Sequence, residues 1–260
     1  MKKIAVITPV YNGEKFIEDC LKSVALSITT NNFDIEHILV DDCSTDKSWE
    51  IINRVNVPKL RTFRLEKNSG SSAARNFGIK QSSADYLFCL DQDDVLFQNS
   101  LKFLFETTGK HKTDWVYGDF LRTNEDLKYI FGEDYYGSEF ISNTDLLTSM
   151  FSGEHFFQQN CFYSRELFES VGGFDENNNI YQDFDLFTRF ALSGHLPKYI
   201  YGPLYLHRFH KNNLSKVADR ENNPEIHKKD VATLYAKYQE KLKAILNPKQ
   251  ILKVERFLRS

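Results

Sequence analysis

The 260-residue chain is short of several features that would point to a function. It has four cysteines, Cys20, Cys43, Cys89 and Cys161, with no CxxC pair and no Cys/His ligand spacing, so a zinc site is not expected. Isolated thiols in mostly apolar or strand-end contexts read as reduced, core-filling side chains. Charge of one sign is not in excess. The formal net charge is -3 and the sequence pI about 6.2, which argues against wholesale nucleic-acid binding. No stretch approaches the roughly 18 apolar residues of a membrane-spanning helix. The opening MKKIAVITPVYNG has the outline of a signal peptide, but its apolar run is short and Pro9 and Asn12 interrupt it. A first strand and a cytoplasmic protein are expected instead. The GxGxxG and GxxxxGK(S/T) patterns are missing, so neither a Rossmann dinucleotide nor a P-loop nucleotide is supported. There is no internal repeat and no low-complexity tract.

What is present is ordinary globular composition, 41% hydrophobic and 27% charged, enough for one large α/β domain or two small ones. Residues 4–10 form a near-continuous apolar run, which suits a strand covered on both faces. Asn12-Gly13 turns the chain. Phe16, Ile17, Cys20, Leu21, Val24 and Ile28 then recur at helical spacing. Strands are expected over 35–40, 60–65 and 86–90, with helices around 49–52, capped by Ser44 or Thr45, and over 72–80. This alternation predicts a parallel sheet with crossover helices. The second half is less regular: a strand over 115–120, an aperiodic stretch over 122–142, helices over 143–151, 165–171 and 184–192, and a strand over 199–207. The tail, 225–260, is basic and amphipathic. It reads as a helix packed on the parent domain, or as one lying on an anionic membrane surface.

Chemistry gathers at strand ends. The apolar run 86–90 stops in Asp91-Gln92-Asp93-Asp94, and 35–40 stops in Asp41-Asp42. In an open parallel sheet ligands bind beyond the carboxyl ends of the strands. Pro9-Val10-Tyr11 and both acidic clusters should therefore face one crevice. Paired hard carboxylates suit Mg2+ or Mn2+ bridged to a phosphate compound. A calcium-binding EF-hand loop fits poorly, because Leu96 and Lys102 stand where Gly and Glu are needed. The bland reading of Asp91 to Asp94 is a solvated turn with one helix-capping Asp. Tyr11 offers a ring to stack on a base, Asp42 a carboxylate for an imide N–H, and Arg75 a balancing charge.

In order and spacing, TPVYNGEKFIEDCLKSV, ILVDDCSTDKSWEII, NSGSSAARNFGI, YLFCLDQDD, GGFDE, YQDFDLFTRFALSG and LYLHRFH resemble the family 2 glycosyltransferases. The resemblance covers residues 4 to about 215. It implies the A-type glycosyltransferase fold, a Rossmann-like mixed, mainly parallel sheet flanked by helices. It divides the chain into a transferase domain over 1–215, with a nucleotide-binding half (1–100) and an acceptor half (101–215), and a basic helical extension over 216–260. The activity implied is inverting transfer of a hexosyl or N-acetylhexosaminyl group from a nucleotide-diphosphate sugar, most readily a UDP-sugar. The acceptor would be a saccharide or lipid-linked saccharide in bacterial surface polysaccharide or lipopolysaccharide synthesis.

Carried over by position, Pro9, Val10, Tyr11, Glu14, Asp42, Arg75, Asp91 and Gln92 would hold the nucleotide. Asp93 and His210 would hold a divalent metal, Mg2+ or Mn2+. Asp183 would be the general base, with Asp185 in reserve, and Gln182 stands where the family commonly has an acid. His207, Arg208, His155 and Gln158 would lie on the diphosphate and acceptor side. The bland readings are that Asp183 caps a helix and that both histidines face solvent. A nucleotidyltransferase and a sugar-nucleotide-binding module that has lost turnover remain as alternatives. The expected location is the cytoplasm, with a peripheral membrane contact through the tail.

Overall fold

Two apolar runs set the centre of the fold. In the computed structural model, strands β1 (Lys3–Val10) and β2 (Asp34–Asp41) are buried from their second residue onward, so both of their faces are covered. The structure describes residues 2–30, 33–132, 135–155, 157, 161–178, 181–211, 213 and 224–259. Side chains alternate across the pleat. Ile4 and Val6 face one apolar layer, while Ala5 and Ile7 face the other.

β1 lies between β2 and β4 (Tyr86–Cys89), and β2 also pairs with β3 (Leu60–Arg64); all three pairings are parallel. The remaining strands are β5 (Val95–Leu96), β6 (Trp115–Thr123), β7 (Phe162–Ser164) and β8 (Lys198–Arg208). The eight run in the order β3-β2-β1-β4-β7-β6-β8-β5. β7 is antiparallel to both β4 and β6, so the sheet is mixed.

Helices α1 (Ile17–Thr30), α2 (Ser48–Arg54) and α4 (Ser100–His111) cover one face through Cys20, Val24, Ile52 and Leu104. The opposite face is covered by α3 (Ser71–Lys80), α5 (Asn143–Phe151), α6 (Arg165–Ser170) and α7 (Gln182–Leu192). The C-terminal helices α8 (Pro224–Ile245) and α9 (Pro248–Arg259) join that second layer.

Two local expectations change. α2 begins at Ser48, not at a cap on Ser44 or Thr45. Those side chains bind Asn12 instead: Ser44 Oγ accepts from the Asn12 amide, and Thr45 donates to Asn12 Oδ1. Asp46 accepts from the Ser48 amide and Glu14 from the Lys47 amide. The tail is two helices, not one. Pro248 opens α9, and Asn247 Oδ1 accepts from the amides of Lys249 and Gln250. Its apolar residues are used inward, with Val231, Leu242 and Val254 fully buried in the same core as Leu146 and Phe187. Among the described residues no helix is long and apolar enough to cross a membrane. β6 extends through Thr123, and the described residues of 124–142 carry no helix or strand, tied to β6 by isolated bridges, Phe120 to Tyr135 and Thr123 to Tyr129.

Candidate active site

Strand order reverses at β1, because one crossover leads to β2 and a later one returns to β4. That switch opens a crevice at the carboxyl ends. Its floor is the end of β1, with Pro9 and Val10 buried and the Val10 carbonyl accepting from the Asp42 amide at 2.7 Å. Tyr11 is 43% exposed, available for stacking. Gln92 pairs its side-chain amide with the Tyr11 main chain, accepting from N and donating to O, both at 3.0 Å. This splices the loop after β4 onto the end of β1. Gly13 leaves room for that contact, since a Cβ would sit 2.3 Å from Gln92 Oε1 and push it aside. Glu14 is exposed and ties the same corner to the start of α2.

Asp42 accepts from the Ser69 amide at 2.7 Å and the Gly70 amide at 2.8 Å, one per carboxylate oxygen. It thereby fixes the turn entering α3, and each oxygen keeps a lone pair for a ligand. Burial pushes its carboxyl above the usual range, and the two amides offset part of that.

Arg75, on α3, is 3% exposed. Its Nη2 donates to Asp91 Oδ1 at 2.5 Å, and its guanidinium lies 5.8 Å from the Phe174 ring. Nε and Nη1 are buried and have no hydrogen-bond partner among the described residues, an arrangement that proteins seldom leave without a use. Asp183 sits in the first turn of α7, half-buried, accepting from the Phe184 amide at 2.8 Å. Burial pushes its carboxyl up to about 6, against the pull of the Phe184 amide and the Arg75 charge. Gln182 stitches α7 to α3: its Oε1 accepts from Ser72 Oγ at 2.6 Å and its Nε2 donates to Ser71 Oγ at 2.8 Å. A neutral amide can both give and accept there.

The segment after β8 closes over the acidic loop. His210 Nε2 and Asn213 Nδ2 meet Asp93 Oδ2 at 2.8 and 3.0 Å. Asp94 accepts from the Arg208 amide at 3.1 Å and lies 3.3 Å from His207 Nδ1. Burial alone would lower the His207 pKa, but the Asp94 charge and hydrogen bond outweigh it and raise it. Both histidines are only 8% exposed, so the solvent-facing reading does not hold. Arg208 is engaged within the protein, donating to Asp19 at 2.8 Å and the Glu125 carbonyl at 3.1 Å and stacking on Phe16.

Among the described residues no group of three or more His, Cys, Asp and Glu is gathered to hold a metal. The Asp93 oxygen and His210 nitrogen form a two-donor set whose chemistry fits a divalent cation that takes its other ligands from water and phosphate.

Other expected residues fall elsewhere. His155 is buried, accepting or donating at 2.8 Å to the Tyr135 hydroxyl among the rings of Tyr117, Phe140 and Phe157. Gln158 lies outside the described residues. Asp185 is fully buried and bound to Arg189, Lys237 and Tyr238, so it is not open to the crevice as a reserve base. Asn213 carries a site contact that no motif announces, and Ser71 and Ser72, inside NSGSSAARNFGI, carry contacts to Gln182 that the motif does not assign.

A switch-point crevice with this sheet and these acidic loops is the architecture of the A-type glycosyltransferase fold. The chain belongs to glycosyl transferase family 2, whose model matches residues 5–172. Glycosyltransferase GlyA of Streptococcus pneumoniae is 29% identical over 83% of this chain, which spans only 32% of that protein. The poly(ribitol-phosphate) beta-N-acetylglucosaminyltransferase TarP of Staphylococcus aureus is 37% identical over 46% of this chain and 37% of its own. Among solved structures, S. aureus TarS 1-349 in complex with UDP-GlcNAc aligns with 99% of this chain and 72% of its own, at TM-score 0.72 and 21% identity. The mannosyltransferase PcManGT of Pyrobaculum calidifontis, in complex with GDP-Man and Mn2+, aligns with 98% of this chain and 73% of its own, at TM-score 0.64 and 15% identity.

Proposed function

We propose that the chain is a metal-dependent, inverting glycosyltransferase that moves a hexosyl or N-acetylhexosaminyl group from a UDP-sugar to an acceptor hydroxyl. The observation that carries this is the separation of two acidic stations around one crevice. Asp93 with His210 forms one. Asp183, with its raised pKa, forms the other, and the Arg75–Asp91 pair acts electrostatically on it.

Tyr11 stacks on the base, and Asp42 accepts from its imide. Asp91 takes the ribose or sugar side, and Gln92 holds Tyr11 in place. Asp93 and His210 would hold Mg2+ or Mn2+, which supplies positive charge against the departing diphosphate. Asp183 accepts the proton of the acceptor hydroxyl as its oxygen attacks the anomeric carbon. The carbon–oxygen bond to the diphosphate breaks on the opposite side, which inverts the centre. A carboxylate titrating near 6 is ionised at neutral pH yet basic enough to take that proton.

Activity in cytoplasmic synthesis of a bacterial surface polysaccharide or lipopolysaccharide is the setting this chemistry suits. Any peripheral membrane contact falls to α9, where Leu252 is 67% exposed beside Lys253 and Arg256. Failure of the chain to cosediment with anionic vesicles would remove it.

The test is Asp183→Asn. Loss of turnover with UDP affinity retained supports the base assignment, and unchanged turnover overturns it. A wild-type chain that binds UDP-sugars but never turns over is the binding module instead.

A further inference from the structure

We infer that Lys237, on the C-terminal helix α8, is a positioning residue for the base Asp183. The inference rests on the reading of Asp183 as that base. Successive helical residues turn about 100°, so Asp183 and Asp185 project from nearly opposite sides of α7. Asp183 interacts with Arg75 and Asp91 on the crevice side. Asp185 projects to the far side, where it is fully buried. There Lys237 Nζ and Tyr238 Oη donate to its Oδ1 at 2.7 and 2.6 Å, and Arg189 binds its Oδ2 at 2.7 Å.

The same Lys237 Nζ donates to Asp175 at 2.8 Å. Asp175 belongs to the turn whose Phe174 ring packs near Arg75 and whose main chain exchanges two hydrogen bonds with Asn76, the next residue on α3. One ammonium therefore joins three pieces: the helix that carries the base, the turn beneath the crevice arginine, and α8. From the front, Gln182 holds α7 to Ser71 and Ser72. The first turn of α7 is clamped between α3 and α8.

The basic tail thus helps hold the helix that carries Asp183. Lys237 touches no substrate. Its part is to fix where the Asp183 carboxylate stands, and small misplacement of a reacting group is expensive in rate.

The experiment compares wild type with Lys237→Met, Lys237→Arg and Tyr238→Phe in the full chain. Hydrogen–deuterium exchange is read over 181–192, the rate of UDP release from UDP-N-acetylglucosamine with water as acceptor is measured, and UDP affinity is titrated. Lys237→Met is expected to speed exchange in the first turn of α7 and to lower the rate about tenfold to a hundredfold, with UDP affinity within about twofold. Lys237→Arg restores most of the rate, and Tyr238→Phe shows the same pattern more weakly. If Lys237→Met does not fold, the isosteric Tyr238→Phe decides. A folded variant with wild-type exchange over α7 overturns the inference, as does a rate loss that merely follows lost UDP affinity. A wild-type chain that binds UDP but releases it from no UDP-sugar sinks the transferase reading instead, and the exchange data still report whether the clamp exists.

Discussion

Asp183→Asn should make the protein more stable while it abolishes turnover. In the folded chain the Asp183 carboxyl titrates near 6, against 3.8 for the free group, because burial disfavours its charge. That gap of roughly two pH units, at 1.36 kcal/mol per unit, means the ionised carboxylate opposes folding by about 3 kcal/mol at most. Water at the half-open site screens part of this, so a gain of about 1–3 kcal/mol is expected from an asparagine that cannot ionise. The sign follows from linkage. The folded state holds this proton more tightly than the unfolded one, so the penalty is absent below pH 4. It grows as pH rises from 4 to 6 and is complete above that. Urea denaturation of both proteins at pH 4 and 7.5 reads it directly. The curves should coincide near pH 4, where both proteins fold, and separate at 7.5 in favour of the variant. A variant less stable at pH 7.5, or a difference independent of pH, would refute the account of Asp183 as a carboxylate held in a desolvating site.

Three further outcomes follow from single contacts. The turnover rate of wild type should fall about tenfold per pH unit below 6, as Asp183 takes up its proton, and a flat profile from pH 5 to 8 would contradict the base assignment. Gly13→Ala should raise the KM for the donor with little loss of fold, because the added Cβ would drive Gln92 off the Tyr11 main chain; unchanged donor KM would show that this splice is dispensable. Leu242→Ala should cost about 2–5 kcal/mol, the range for a fully buried leucine, in a thermal or urea melt. A loss below about 0.5 kcal/mol would mean that α8 is an appendage rather than part of the core.

Much of this fold is legible in the chain because burial imposes a period. The run over 4–10 reads as a strand covered on both faces and is covered, and 35–40 reads as a strand and is one. Ile17, Cys20, Leu21 and Val24 recur every three or four residues and face the sheet. The acidic loops are legible for a different reason: charges ending an apolar strand point to a crevice. What cannot be read are pairings across the fold. Asn213 meets Asp93 across 120 positions and Lys237 meets Asp185 across 52, and such contacts exist only once the elements are placed. Composition leaves two readings of the tail open, a helix packed on the domain or one on a membrane surface, and the structure shows the packing: Val231, Leu242 and Val254 are spaced to enter the core. Ser44 looks like a helix cap, but Asn12 reaches it first.

The central claim is that this crevice binds a nucleoside diphosphate through a divalent cation at Asp93 and His210. The most direct measurement is a thermal-shift titration of the wild type with UDP, with and without Mn2+, beside Asp93→Ala under the same conditions. A ligand that binds only the folded chain raises its melting point by mass action. UDP should stabilise the wild type strongly with Mn2+ and weakly without it, and Asp93→Ala should lose the metal-dependent part. No UDP-dependent shift in the wild type, or an equal Mn2+ effect in both proteins, would contradict it.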